Sequence, residues 1–193
     1  MTTTYHHGNL RQALLDAVGE IVAEKGTGGV SLREAARRAG VSHGAPAHHF
    51  GDKLGLLTAF SARGFELFGT KMRAAADGAE TPEEKIVAVG LEYLRFAIEE
   101  RAYFEVMFRD DMHDRTDSHH DAVSKGAFSV VMEIADQLAK SGSGRGDPMI
   151  IAIRAWSNVH GLATLWLDGA LGHFWQEDDI YGLARQIFDA QIN

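Results

Sequence analysis

Apolar residues recur every three or four positions along most of the chain, a spacing that predicts α-helices. Leu10, Leu14, Val18 and Ile21 predict a first helix over residues 8–25. Similar series predict later helices over residues 52–77, from residue 81 onward, and over residues 102–108, 121–140, 147–171 and 176–191. Asp52 is placed to cap the first of these helices, and Thr81-Pro82-Glu83-Glu84 has the pattern of a helix start. Alternating strand patterns and internal repeats are absent from the sequence. We therefore expect an all-α fold of about nine helices.

Residues 30–53 have the pattern of two short helices joined by a tight turn. Ser31 is placed to cap the first helix, and Glu34 three positions later completes a capping-box sequence. Gly40 predicts the end of that helix, because glycine readily adopts the left-handed conformation. Ser42 is expected to cap a second helix over roughly residues 44–49, which Phe50 anchors. This arrangement indicates a helix-turn-helix, a unit that places its second helix in the DNA major groove.

The Gly40-Val41-Ser42 and His49-Phe50-x-x-Lys53 motifs resemble the DNA-binding domain of TetR-type transcriptional regulators. The resemblance covers roughly residues 5–60. It implies that Ser42 and Lys53 contact phosphates. Ala47 stands where most relatives carry a phosphate-contacting tyrosine, so we expect modest affinity that falls steeply with salt.

The candidate contacts with double-stranded DNA lie on the helix-turn-helix and at the start of the next helix. They are Ser31, Arg33, Ser42, His43, Gly44, Ala45, Ala47, His48 and Lys53. Within this set, His43 and His48 are the expected base readers, and Ala45 or Ala47 is suited to touch a thymine methyl group.

The helix predicted over residues 147–171 is apolar on all sides, so every side of it needs to be covered. A homodimer would supply that cover and would match a palindromic operator. The expected interface residues are Ala163, Trp166, Leu167, Leu171, Phe174, Ala184, Ile187 and Phe188. The alternative is a central helix inside a monomer.

The sequence from Trp156 to Gly161 resembles the Trp-x-x-x-His-Gly signature of one C-terminal domain type in the TetR family. The resemblance implies repression relieved by a small-molecule effector. Its expected apolar pocket is lined by Tyr93, Phe96, Phe104, Met107, Phe108, Phe128, Met132, Trp156 and His160. The alternative is that these side chains form ordinary core and that a neighbour satisfies His160.

Charge divides the chain into two parts. Residues 1–73 hold nine Lys/Arg against six Asp/Glu, a balance of +3, whereas residues 74–193 hold ten against twenty-one, a balance of −11. The basic part coincides with the helix-turn-helix. We expect a DNA-binding domain over residues 1–52, a connecting helix over 52–77, and a ligand-binding and dimerisation domain over 78–193.

Other functional classes have weaker support. The chain has no cysteine, which excludes disulfides and cysteine zinc sites, and no apolar run approaches a membrane span. We expect a cytoplasmic protein with no cofactor, metal, catalytic residue or membrane partner. One rival is a metal-binding helical enzyme that uses the ligand-type residues near His113 and His120. The other is a helical dimer that binds proteins and has lost DNA binding.

Overall fold

A computed structural model describes the backbone of residues 7–175 and 179–192 and the side chains of residues 10–175 and 179–189. Tyr5 and His6, at the start of the predicted family resemblance, lie outside the described residues. Within the described residues, all regular structure is helical, which confirms the predicted fold class. The nine α-helices are α1 His7–Lys25, α2 Leu32–Arg38, α3 Ala45–Phe50, α4 Lys53–Asp77, α5 Pro82–Glu99, α6 Arg101–Met107, α7 Ser118–Ser141, α8 Pro148–Leu167 and α9 Ile180–Ile192.

Two compact units share the chain. The first unit comprises Met1–Phe65 and Arg101–Ala122, and the second comprises Glu66–Glu100 and Val123–Asn193. Both α4 and α7 contribute residues to each unit. The functional division into residues 1–52 and 78–193 remains a prediction, because it concerns what the parts bind rather than how they pack.

The first unit is built around α1, whose apolar side faces α2, α3 and α6. Its core consists of fully or almost fully buried side chains, among them Leu14, Val18, Ile21, Phe60 and Val106. The Phe60 and Tyr103 rings stack with their centroids 4.4 Å apart. This cluster supports the short α2 and α3, which are too short to be stable alone.

In the second unit, α5 packs against α8 and α9. Thr81 and Glu84 form a reciprocal capping box at the start of α5, as its Thr-Pro-Glu-Glu sequence indicated. Gly90 brings α5 close to α9, since a Cβ there would lie 2.8 Å from the Phe188 ring. Glycine at position 90 therefore allows α9 to pack closely against α5.

Two helix boundaries differ from the prediction by three or more residues. The α7 helix begins at Ser118 rather than at residue 121, and α8 ends at Leu167 rather than at residue 171. Gly169, with φ of 72°, turns the chain after α8. The predicted start of the last helix at residue 176 lies outside the described residues, and α9 is described from Ile180.

Candidate nucleic-acid interface and aromatic cluster

The α2 helix begins with the predicted cap, because the Ser31 hydroxyl accepts a hydrogen bond from the Glu34 backbone N–H at 3.2 Å. The reciprocal half of the predicted capping box is wrong. The Glu34 carboxylate instead accepts two hydrogen bonds of 2.8 Å from Arg37 and one of 3.0 Å from Lys25. Two nearby cations provide stronger partners than a single backbone N–H.

The turn after α2 follows the sequence only in part. Gly40 has the expected positive φ of 66°, and the Val41 N–H reaches back to the Ala36 carbonyl at 3.0 Å. Ser42, however, does not cap α3. Its carbonyl accepts from the Ala45 N–H at 3.1 Å, which forms a turn, and α3 begins at Ala45 without a side-chain cap. The prediction failed because this turn places the N-cap at Gly44, two residues after Ser42.

The side chains expected to read DNA are presented outward from the first unit. Eight of the nine candidate contacts are exposed, and the ninth, Ala45, is half-buried. In the same helix Pro46 is buried, and the half-buried Phe50 packs against the core. The α3 helix thus has one supported side and one open side, which suits a helix that enters a groove.

Charged residues behind α2 hold it against α1. The Arg38 side chain is only 10% exposed and forms ion pairs with Glu24, with Glu20 at 3.6 Å and with Glu34 at 3.5 Å. Its hydrogen bonds to Glu24 lower the pKa of that carboxyl group, and the bonds from Arg37 lower the pKa of Glu34. Arg37 and Arg38 therefore form ion pairs with glutamates of the same chain.

The entry into α4 is tightly constrained. The Asp52 carboxylate accepts a hydrogen bond from the Gly55 N–H at 2.8 Å, which confirms the predicted cap. A Cβ at position 55 would lie 2.0 Å from the Phe50 carbonyl oxygen, so the end of α3 and the start of α4 approach as closely as a glycine allows. This contact fixes Lys53, at the first turn of α4, relative to α3. Sequence reasoning missed it, although a glycine early in a helix was a visible signal.

The second unit contains a hydrogen-bonded aromatic cluster, formed by Tyr93, Trp156 and His160 with Phe68 and Phe128. The Tyr93 hydroxyl lies 2.7 Å from His160 Nδ1, and Trp156 Nε1–H donates to the same hydroxyl at 3.4 Å. Burial raises the pKa of Tyr93 and lowers the pKa of His160. Burial thus favours the neutral form of both side chains, and the tautomer of His160 decides which of the two donates the hydrogen bond.

The nine predicted pocket residues are divided between the units. Phe104, Met107 and Phe108 belong to the first unit. The second unit contains Tyr93, Phe96, Phe128, Met132, Trp156 and His160. Tyr93 and Phe96 both contact the Phe68 ring edge-on, with centroids 5.2 and 5.0 Å away. A pocket lined by all nine residues remains a prediction.

The predicted dimer residues differ in exposure. Ala163 and Ala184 are fully buried and Phe188 is 7% exposed, so these side chains pack within the second unit, and their place in a dimer interface stays a prediction. Periodicity could not separate the core of the chain from its interface. Trp166, Leu167, Leu171 and Ile187 are half-buried, and Phe174 is 88% exposed. Exposed apolar side chains of α8 that the predicted interface list omits are Met149, Ile150, Ile153 and Leu165.

The residues considered for metal binding do not converge. Across the side chains that are described, no group of three or more His, Asp or Glu is arranged to hold a metal ion. His113 and His120 stack on each other instead, with ring centroids 4.2 Å apart.

Family models identify both parts of the chain. Residues 86–189 match the tetracyclin repressor-like C-terminal domain, which is more than half of the chain. The chain belongs to the TetR family. Residues 14–60 match the tetR family of bacterial regulatory proteins. These matches confirm the prediction of a TetR-type transcriptional regulator and the expectation that the protein is a regulator rather than an enzyme.

Individual relatives agree with the family. The regulator PksA from Bacillus subtilis (strain 168) is 27% identical over 164 residues, which are 81% of this chain and 78% of PksA. The regulator BetI from Rhizobium meliloti (strain 1021) is 37% identical over 79 residues, but the match spans only 41% of this chain and 39% of BetI. A structure of a protein of unknown function from Rhodococcus sp. RHA1 has 29% identity and a TM-score of 0.84, with 99% of this chain and 97% of the other covered.

Membrane insertion has no support in the described helices, none of which is both long and apolar enough to cross a bilayer.

Proposed function

We propose that this TetR-family protein is a sequence-specific DNA-binding regulator that reads a palindromic operator as a homodimer. The observation that supports it most directly is the asymmetry of α3. Pro46 is buried and Phe50 packs on the core, whereas Ala47 and His48 are exposed, as is His43 just before the helix. Phosphate contacts would position the protein, and base-edge contacts would specify the sequence.

The proposed contacts fall into two groups by chemistry. Ser31, Arg33, Ser42 and Lys53 carry hydroxyl, guanidinium and ammonium donors for phosphate oxygens. His43, Gly44, Ala45, Ala47 and His48 face the bases. Imidazole nitrogens suit the hydrogen-bonding edges of the major groove, and alanine methyl groups suit the thymine methyl. The domain over residues 1–52 would carry this function.

Dimerisation is supported by the exposed apolar surface of α8. Ile150 is 54% exposed, Ile153 is 43% exposed and Leu165 is 47% exposed. Water contact with several large apolar side chains on one helix is costly, and a second copy would remove it. Replacing Ile150 and Ile153 with Glu should convert the dimer to a monomer in sedimentation experiments. Leu54→Glu, at an apolar position with 41% exposure in the first unit, is the matched control.

The C-terminal part is proposed to belong to the Trp-x-x-x-His-Gly type and to bind a small, mostly apolar effector that releases the repressor from DNA. Tyr93, Trp156 and His160 support this idea, because they combine aromatic surface with polar groups. A ligand that prefers one arrangement of the two DNA-binding domains would shift the dimer away from its DNA-competent form. The competing interpretation is that the cluster is ordinary core.

The deciding experiment is selection of bound sequences from a random DNA library with the full-length protein at moderate salt. We expect an enriched palindrome. Lys53→Ala should weaken retention without changing the motif, whereas His48→Ala should change the preferred base at one position of each half-site. Lys140→Ala removes the same charge from an exposed lysine of α7 and should leave binding unchanged.

Absence of any enriched sequence would refute the proposal. It would favour the alternative of a helical dimer that binds proteins, for which Ala47 in place of the usual tyrosine is the supporting observation. Effector control is tested separately, by ligands that change operator affinity. Under the proposal, Tyr93→Phe should alter the response to such ligands while leaving operator affinity without ligand unchanged.

A further inference from the structure

Two histidines of the first unit form a buried pair that the proposed function does not use. The rings of His113 and His120 stack with centroids 4.2 Å apart and planes 24° apart. His120 is 5% exposed, and the His113 side chain is 9% exposed. We refer to these two residues as the histidine pair.

The hydrogen bonding of the histidine pair is incomplete. His120 Nε2 lies 2.9 Å from the Ser61 hydroxyl on α4, and the edge of the His120 ring meets the Phe65 ring at 5.5 Å. His113 Nδ1 is buried and has no hydrogen-bond partner, while His113 Nε2 lies 4.0 Å from Asp110. A buried nitrogen without a partner is costly.

This arrangement favours a neutral His120 ring stacked on His113. Neutral imidazoles stack readily, whereas two imidazolium ions at 4.2 Å would repel each other in a poorly solvated site. Burial lowers the pKa of His120, and the adjacent His113 lowers it further. The charged and titratable groups around the pair are Asp110, Asp111, Asp117, His119 and Asp121.

Asp117 and Asp121 each raise the pKa of His120 by less than burial lowers it. The other two carboxylates already have cationic partners: Asp110 pairs with Arg115, and Asp111 pairs with Arg109. The acidic surroundings therefore do not offset the effect of burial on His120.

The histidine pair joins residues 110–122 to α4. Besides the Ser61 contact, the Thr58 hydroxyl of α4 accepts a hydrogen bond from the Asp114 N–H at 2.8 Å. The Asp117 carboxylate accepts a hydrogen bond from the backbone N–H of His120 at 2.8 Å and fixes the start of α7. These bonds hold the segment in place beside the stacked rings.

We propose that the histidine pair is a proton-sensitive contact that holds residues 110–122 on α4 near neutral pH and releases them on acidification. The inference does not depend on DNA binding. In the closed state residues 110–122 lie on α4, and in the open state they have left it. A histidine whose pKa is lower in the closed state binds a proton more readily in the open state. The closed state is therefore fully favoured above about pH 6.5 and is progressively lost as the pH falls toward the closed-state pKa.

Hydrogen–deuterium exchange of the full-length protein, corrected for the intrinsic effect of pH, tests the proposal. Between about pH 7.5 and about pH 5.5, the opening equilibrium of residues 110–122 should rise on the order of tenfold. Peptides from α1 should change much less. His119→Gln removes the exposed neighbouring histidine and should behave as the wild type.

His120→Phe keeps an aromatic ring against Phe65 but cannot take up a proton, so opening of the segment should become nearly independent of pH. An unchanged pH response in His120→Phe would overturn the proposal. So would a wild-type response that is equal throughout the first unit, because it would indicate global rather than local opening.

A second measurement covers the case in which His120→Phe does not fold. In the wild-type protein, NMR titration of the imidazole signals should show the buried ring still neutral at a pH where an ordinary exposed histidine, with a pKa of about 6.5, is largely protonated. Protonation of His120 in step with such a histidine, without opening of the segment, would overturn the proposal.

Discussion

Gly55 provides a direct test of how α3 is held. Replacing it with alanine adds one methyl group, and the new Cβ would lie 2.0 Å from the Phe50 carbonyl oxygen and 3.2 Å from the carbonyl carbon. Both atoms belong to the backbone, which cannot rotate away as a flexible side chain would. The end of α3 must therefore move relative to the start of α4.

The expected cost follows from two opposing contributions. Overpacking of this kind costs ~1–3 kcal/mol, and a backbone obstacle places Gly55→Ala at the upper end. Alanine recovers ~1 kcal/mol over glycine inside a helix, which leaves a net loss of about 2 kcal/mol. For a protein of this size that corresponds to a Tm lowered by roughly 4–8 °C.

Gly126→Ala is the matched control. Gly126 lies inside α7, is exposed, and has no atom within 4 Å of the position that a Cβ would occupy. The same substitution there should raise the Tm by roughly 2–4 °C, because only the helix-propensity gain applies. Thermal unfolding followed by circular dichroism measures both variants. A Tm of Gly55→Ala equal to or above that of the wild type would refute the packing argument.

Three further predictions concern capping, charge and pH. Ser31→Ala removes the cap of α2 and should lower the free energy of unfolding by ~1 kcal/mol in denaturant titrations; an unchanged midpoint would contradict the cap. Lys53→Ala should reduce the slope of log affinity for DNA against log salt by about one, whereas Arg37→Ala should leave it unchanged because Arg37 is bound to Glu34. Equal slopes for the two variants would contradict these roles. Because burial lowers the pKa of His160, part of the stability should be lost as the pH falls below about 6.5, and His160→Gln should reduce that loss in Tm measurements across pH; an identical pH profile would contradict it.

Local sequence signals predicted local structure well. The caps at Ser31 and Asp52 and the capping box at Thr81 depend on residues at most four positions apart, so the sequence contains all the partners. The same logic failed at Glu34, where Lys25 from another helix competes for the carboxylate. Capping rules count neighbours in sequence, whereas charges respond to neighbours in space.

Long-range features were harder to predict. Apolar periodicity indicated that Phe188 is buried. It could not show that the Phe188 ring packs against Gly90 of the same chain rather than against a second subunit. The histidine pair was visible only as ligand-type residues in a polar stretch. Its stacking depends on how residues 110–122 return to α4, and no spacing rule describes that path.

The division of α3 into supported and open sides also bears on how this protein could acquire new targets. Its six residues gain their geometry from Pro46, Phe50 and the helices beneath them. Substitutions at Ala47 and His48 change exposed side chains without touching that support. Gene duplication followed by drift at these two positions could therefore produce paralogues with different operators on an unchanged scaffold. The same two positions are where a protein engineer should place a randomised library.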